Sequence, residues 1–162
     1  MPRYQYEVQS MGFVDSVSDA FGEFQCLVED LGEVREALED RLSHTARYQT
    51  IDDTLNTLEN YTDEPSTSAE LEKFLGDTKI NVGIMRFTRK KSRSGPSRQN
   101  RFDNAVAAIT AAAEHLTDII DNAEDAEEKL SDDLLADIEE YRDELQEVVD
   151  NVGGCEFPGM MG

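Results

Sequence analysis

Val17-Ser18-Asp19-Ala20-Phe21-Gly22-Glu23-Phe24-Gln25-Cys26-Leu27-Val28-Glu29-Asp30-Leu31-Gly32-Glu33-Val34-Arg35-Glu36-Ala37-Leu38 decides the fold class. Its apolar positions Val17, Ala20, Phe24, Leu27, Leu31, Val34 and Leu38 are separated by three, four, three, four, three and four residues. Such a rhythm keeps one stripe on one side of a helix, and it is the seam of a coiled coil or bundle. Phe21, Val28 and Leu42 widen the stripe, as in a helix with more than one neighbour. The helix is predicted from about Ser16 to Ser43. Gly22 and Gly32 lie inside it, where glycine costs about 1 kcal/mol against alanine, and they are read as points of close approach to another backbone.

A second helix is predicted over Ile51–Tyr61, capped by Thr50, with Ile51, Leu55 and Leu58 inward. The short link around Thr45–Gln49 makes the two an antiparallel hairpin. After the break Thr62-Asp63-Glu64-Pro65-Ser66, the spacing Thr67-Ser68-Ala69-Glu70 matches a capping box. It starts a short helix with Leu71, Phe74 and Leu75 inward and Gly76 as its stop. Tyr4, Tyr6 and Val8 alternate, as do Ile80, Val82 and Ile84, so at most one or two short strands are expected.

Further along, Phe102, Val106, Ile109, Ala113, Leu116, Ile120 and Ala123 repeat the heptad seam. The same phase continues through Leu130, Leu134, Tyr141, Leu145, Val148 and Val152, with Ile138 one place off. Ser131-Asp132-Asp133 is a helix start, which favours two helices over one of about fifty residues. Gly153-Gly154 stops the pattern, and the apolar tail that follows would dock on the protein's own core or on a partner. The expected fold is therefore all-α: a helical hairpin plus a long C-terminal helix or hairpin, forming a bundle complete in itself or completed by oligomerisation. Three regions are expected: 1–76, a basic connector 77–101, and 102–162.

The charge is −21. An acidic balance of this size opposes direct binding to duplex phosphates and favours solubility. It fits a solvated helix surface, an acidic face imitating nucleic acid, or a halophilic source, and the excess of arginine over lysine suits the last. The acidity is not uniform. Arg86, Arg89, Lys90, Lys91, Arg93, Arg98 and Arg101 fall within sixteen residues that hold no acid, leaving eight bases against thirty-six acids elsewhere. This connector would contact another subunit, the chain's own carboxylates, or phosphate; with only Phe87 and Phe102 at its edges, single-strand stacking has no support.

Cys26 and Cys155 are far apart, so a disulfide framework is not expected, and Cys26 reads as a small packing residue beside the first seam. His44 and His115 have no ligand spacing and read as structural or surface residues. No apolar run approaches the ~18 residues of a membrane span, and the N-terminus lacks a signal-peptide core. The expected location is the host cytoplasm or a virus particle. No cofactor is expected. Asp30-x-x-Glu33, followed after a gap of nineteen residues by Asp53-x-x-Asn56, resembles the paired E-x-x-E and E-x-x-D of the all-α nucleoside triphosphate pyrophosphohydrolases. That resemblance implies a magnesium site on two antiparallel helices, with aspartates and an amide where the family has glutamates and an aspartate. Glu33-x-Arg35-Glu36-x-Leu38, its counterpart Glu140-x-Arg142-Asp143-x-Leu145, and the tail Phe157-Pro158-Gly159-Met160 loosely resemble acidic helical proteins of tailed phages.

Three functional classes follow. The first is a non-enzymatic binding or assembly protein, partnered by its own copies or another protein. The second is a nucleic-acid mimic that inhibits a nucleic-acid-binding protein. The third is the magnesium-dependent hydrolase.

Overall fold

The computed structural model describes residues 4–87, 97–125 and 129–157, with the side chains of 4–6 and 85–87 left aside. Five α-helices and a two-stranded antiparallel sheet make up the described chain, so the all-α expectation holds. The order is β1 (Tyr4–Gly12), α1 (Phe13–Leu42), α2 (Ala46–Leu58), a 3-10 turn (Glu59–Tyr61), α3 (Ala69–Leu75), β2 (Lys79–Phe87), α4 (Arg98–Asp121) and α5 (Asp132–Val152).

The first seam folds as its spacing requires. Val17, Ala20, Phe24, Leu27 and Leu31 are buried, while Val34 and Leu38 are half-buried where α1 runs past the body of the protein. The helix starts earlier than expected, at Phe13, because the sheet supplies what a cap would. The Phe13 N–H donates to the Thr78 carbonyl at 2.8 Å, and the Ser16 hydroxyl donates to the Gly12 carbonyl at 2.7 Å. Leu42 is exposed rather than part of a widened stripe. Gly22 and Gly32 mark no close approach: a Cβ built on either meets nothing within 4 Å. Cys26 faces outward and is exposed, so it is not a packing residue.

The hairpin to α2 is tighter than the sequence suggests. Thr45, not Thr50, is the N-cap, its hydroxyl accepting from the Tyr48 N–H, so the expected link becomes the first turn of α2. Thr50 instead donates back to the Ala46 carbonyl at 3.0 Å. Likewise Ser68 rather than Thr67 caps α3, accepting from Leu71 N–H, which places no glutamate at the reciprocal position of a capping box. Phe74, expected inward, is exposed; Leu71 and Leu75 hold α3 to the core.

The strands, though short, carry real topology. β1 pairs antiparallel with β2 along its whole length, from Tyr4 opposite Phe87 to Gly12 opposite Lys79. Val8 is exposed, whereas Gln9 and Met11, of the opposite parity, lie towards the helices with Ile80 and Val82 buried opposite them.

The C-terminal half is two helices. Ser97 caps α4 and Ser131 caps α5, each hydroxyl accepting an N–H three residues on. The expected connector is thereby trimmed from both sides: 79–87 is strand, and Arg98–Arg101 is the first turn of α4. Residues 88–96, with Arg89, Lys90, Lys91 and Arg93, lie outside the described residues, as does the side chain of Arg86. α4 runs antiparallel to α1, with Phe24 against Phe102 and Phe13 against His115, and antiparallel to α5, whose end returns to Gln99.

The α4 seam is buried at Phe102, Ile109, Ala113 and Leu116, but Val106 is half-buried. Ala105, Ala108 and Ala112 widen it on the side facing α1 and the sheet. α5 buries Leu134, Ile138, Tyr141, Leu145, Val148 and Val152. The described part of the tail, up to Phe157, docks on the protein's own core, and residues 158–160 lie outside the described residues. Phe157 stacks on Phe102 at 4.8 Å, and Glu156 exchanges hydrogen bonds with the Thr54 hydroxyl, at 2.8 and 3.3 Å. Helices, sheet and described tail share one hydrophobic core, in which most positions of both seams are buried or half-buried.

Candidate functional site

Two surfaces stand out: a cleft beside the sheet and the outer face of α5. The cleft follows from small side chains placed where three elements meet. α1 presents Ala20, α4 presents Ala105 and Ala108, and the sheet supplies Met11, Val82 and Ile84. Alanines in a seam otherwise built of Phe, Leu and Ile leave the space unfilled, a cleft of about 510 Å³. Its rim is polar, with Gln9, Asp19, Glu23, Asn104 and Arg101.

The rim contains the main ionic cluster of the described chain. The Arg101 Nε donates to Glu23, and its Nη1 donates to Asp30 Oδ2 at 3.1 Å. Arg98 Nε lies 4.0 Å from the same carboxylate oxygen. The two acids hold the Arg101 guanidinium charged against the opposing effect of burial, which is the larger single influence on it. All of these side chains are about a third exposed, so the cluster fixes geometry more than it adds stability. Asp19, one turn before Glu23 on α1, is exposed and has no partner among the described residues.

Of the seven basic positions singled out in the sequence, the described side chains Arg98 and Arg101 are thus turned onto the acids of α1. The proposed metal ligands are used differently. Asp30 is taken by Arg101, Glu33 and Asp53 are exposed, and the Asn56 amide donates to Asp52 at 3.4 Å. Asp52 also accepts from Arg35 at 2.9 Å, which ties α2 to α1. Among the described residues, no three or more metal-ligating side chains are grouped to hold an ion.

The second surface is α5. Its 21 residues include nine carboxylates and one base, Arg142. At ~1.5 Å rise per residue the helix is ~30 Å long, or one carboxylate per ~3.4 Å. A single strand of duplex DNA carries one phosphate per about 3.4 Å. Asp132, Asp133, Glu139, Glu140, Asp143, Glu147 and Asp150 are exposed, and among the described residues Arg142 pairs with its neighbour Asp143 at 3.1 Å. Burial, with Glu140 and Glu147 adding to it, pushes the Glu144 carboxyl above its ordinary value. The Tyr141 phenol is pushed up by its burial and by Glu64 and Glu144. Ser68 donates to Asp137 at 2.9 Å, the one hydrogen bond among the described residues that joins an α5 carboxylate to another element.

Nothing in the sequence pattern announced the cleft, because it is made of residues from four separated segments. The α5 ridge was visible as acidity, but that no described cation from another element pairs with it needed the positions of Arg35, Arg98 and Arg101. No family model, curated protein or solved structure matches this chain. No described helix is long and apolar enough to cross a membrane.

Proposed function

We propose that the protein is a binding protein that presents the carboxylate ridge of α5 to a basic surface on another protein, of the kind that otherwise receives nucleic-acid phosphates. The observation that carries this reading is the spacing on α5: nine carboxylates over ~30 Å, against one arginine, on a helix whose opposite face is buried in the core. A basic partner gains in two ways. Each contact neutralises an unpaired carboxylate, and the mutual repulsion along the ridge is relieved as it binds.

The heptad seams do not support an oligomer as the primary role, since the core of one chain takes up most of their positions. Two of the acids of α1, Glu23 and Asp30, are already held by Arg101, which leaves that helix less suited than α5.

The test compares two variants with equal charge change. One carries Glu139→Gln, Glu140→Gln, Asp143→Asn and Glu147→Gln on α5; the other carries Glu29→Gln, Glu33→Gln, Glu36→Gln and Glu39→Gln on α1. All eight positions are exposed. Binding of a nine-residue oligo-arginine peptide, followed by calorimetry over a salt series, should weaken at least about tenfold in the α5 variant and much less in the α1 variant. Equal loss in both would mean that only net charge matters, and the reading would fail.

A further inference from the structure

The cleft between the sheet, α1 and α4 is independent of the α5 ridge, and its chemistry is specific. Its floor is apolar, from Met11, Val82, Ile84 and the alanines of α1 and α4. Its volume, about 510 Å³, lies within the range of sites for small organic ligands. The polar groups of its rim are not evenly spent. Arg101 is held at one end by Glu23 and Asp30, so its positive charge is already met. Asp19 has no partner among the described residues, and one oxygen of Glu23 remains beyond the one that takes Arg101. Two carboxylates one helical turn apart therefore face a cleft whose only cation among the described side chains is itself shared with a third carboxylate.

We propose that this cleft binds a small amphipathic organic cation, its apolar body seated on the sheet residues and alanines and its protonated amine held by Asp19 and Glu23. An anion would meet net repulsion from the rim. A neutral apolar molecule would fill the floor and leave Asp19 without a partner. A simple ammonium ion would gain the charge contact without removing apolar surface from water. Both halves of the ligand are needed.

Methyl-resolved NMR titrations with three probes test this: phenethylamine, which has body and charge; 2-phenylethanol, which has the body alone; and methylamine, which has the charge alone. Phenethylamine should shift the methyls of Ala20, Ala105 and Ala108 saturably, with an affinity about tenfold or more above either of the others. Asp19→Asn, at an exposed position, should bring phenethylamine down to the level of 2-phenylethanol while leaving the spectrum otherwise intact. Ala105→Leu, which fills the cleft, should remove both; if that variant does not fold, Asp19→Asn still decides. Shifts that spread along α5 without saturating, equal affinity for phenethylamine and 2-phenylethanol, or no saturable shift of the cleft methyls would each overturn the proposal. Because the α5 variants described above do not touch the cleft, failure of one reading leaves the other standing.

Discussion

α1 and α5 carry the same number of acids, nine each, and seven of each set are exposed, but the two helices differ in what reaches the others. α1 lies at the centre. It touches β1, α2, α3 and α4, and Arg101 from α4 holds its Glu23 and Asp30, with Arg98 4.0 Å from the same Asp30 oxygen. α5 lies at the side, packed mainly on α4, and its outward carboxylates face water with Arg142 alone among them. The difference is one of position rather than composition. A central helix has other elements on several sides to bring cations to it, whereas a peripheral helix has solvent.

The largest effect is expected from Phe24→Ala, which removes a fully buried ring of α1 that stands between Phe21 and Phe102, each at 5.7 Å. A loss of about 3–5 kcal/mol is expected in urea melts. The smaller Val148→Ala on α5 should cost about 1–3 kcal/mol, and equal losses would deny α1 its central place.

Gly22→Ala and Gly32→Ala go the other way. Each removes a helix-interior glycine with open space around it, and each should raise stability by about 1 kcal/mol. A loss in either variant would show that the backbone there is needed as it is.

Charge substitutions come next. Arg101→Met should lower stability by up to about 1 kcal/mol and make it more salt-dependent, because Glu23 and Asp30 would then repel without a cation between them. Glu144→Gln on α5 should do the reverse, raising the melting temperature slightly at low salt. If both variants shifted stability in the same direction, the contrast between the helices would be lost.

The smallest effect is in pH. The Glu144 carboxyl lies above its ordinary value of 4.5 in the folded protein, and so does that of Glu64, where burial outweighs a hydrogen bond from Ser18 and Glu72 adds repulsion. A raised carboxyl binds its proton more tightly folded than unfolded, so these two groups oppose folding when charged. That opposition is present at neutral pH. It falls away as pH drops through the raised values and is gone below the ordinary one. Stability should therefore rise on acidification from pH 7 towards that range. The rise should be smaller in Glu144→Gln, as thermal melts across the pH series would show.

Much of this was legible beforehand. The seam of α1, the break before α3, the stop at Gly76, the start of α5 at Ser131 and the inward residues of α5 all follow from local spacing, since a helix converts period into a face wherever it sits. Phe74 and Leu42 show the limit: periodicity says which side of a helix a residue is on, not whether anything covers that side. Gly22 and Gly32 show another, since a residue chosen for close packing and one that merely survives in open space look the same in a sequence.

By itself the sequence determined the helical class, the two seams, the caps to within a few residues and the strong asymmetry of charge, because each rests on residues close together in the chain. Only the tertiary structure decided what those features meet. It paired β1 with β2 across some seventy residues of chain, turned Arg98 and Arg101 onto α1, folded Phe157 back against Phe102, and left three alanines opposite the sheet with a cleft between them. Each of these joins segments far apart in sequence. Their meeting is set by how several faces are buried together, which no local spacing encodes.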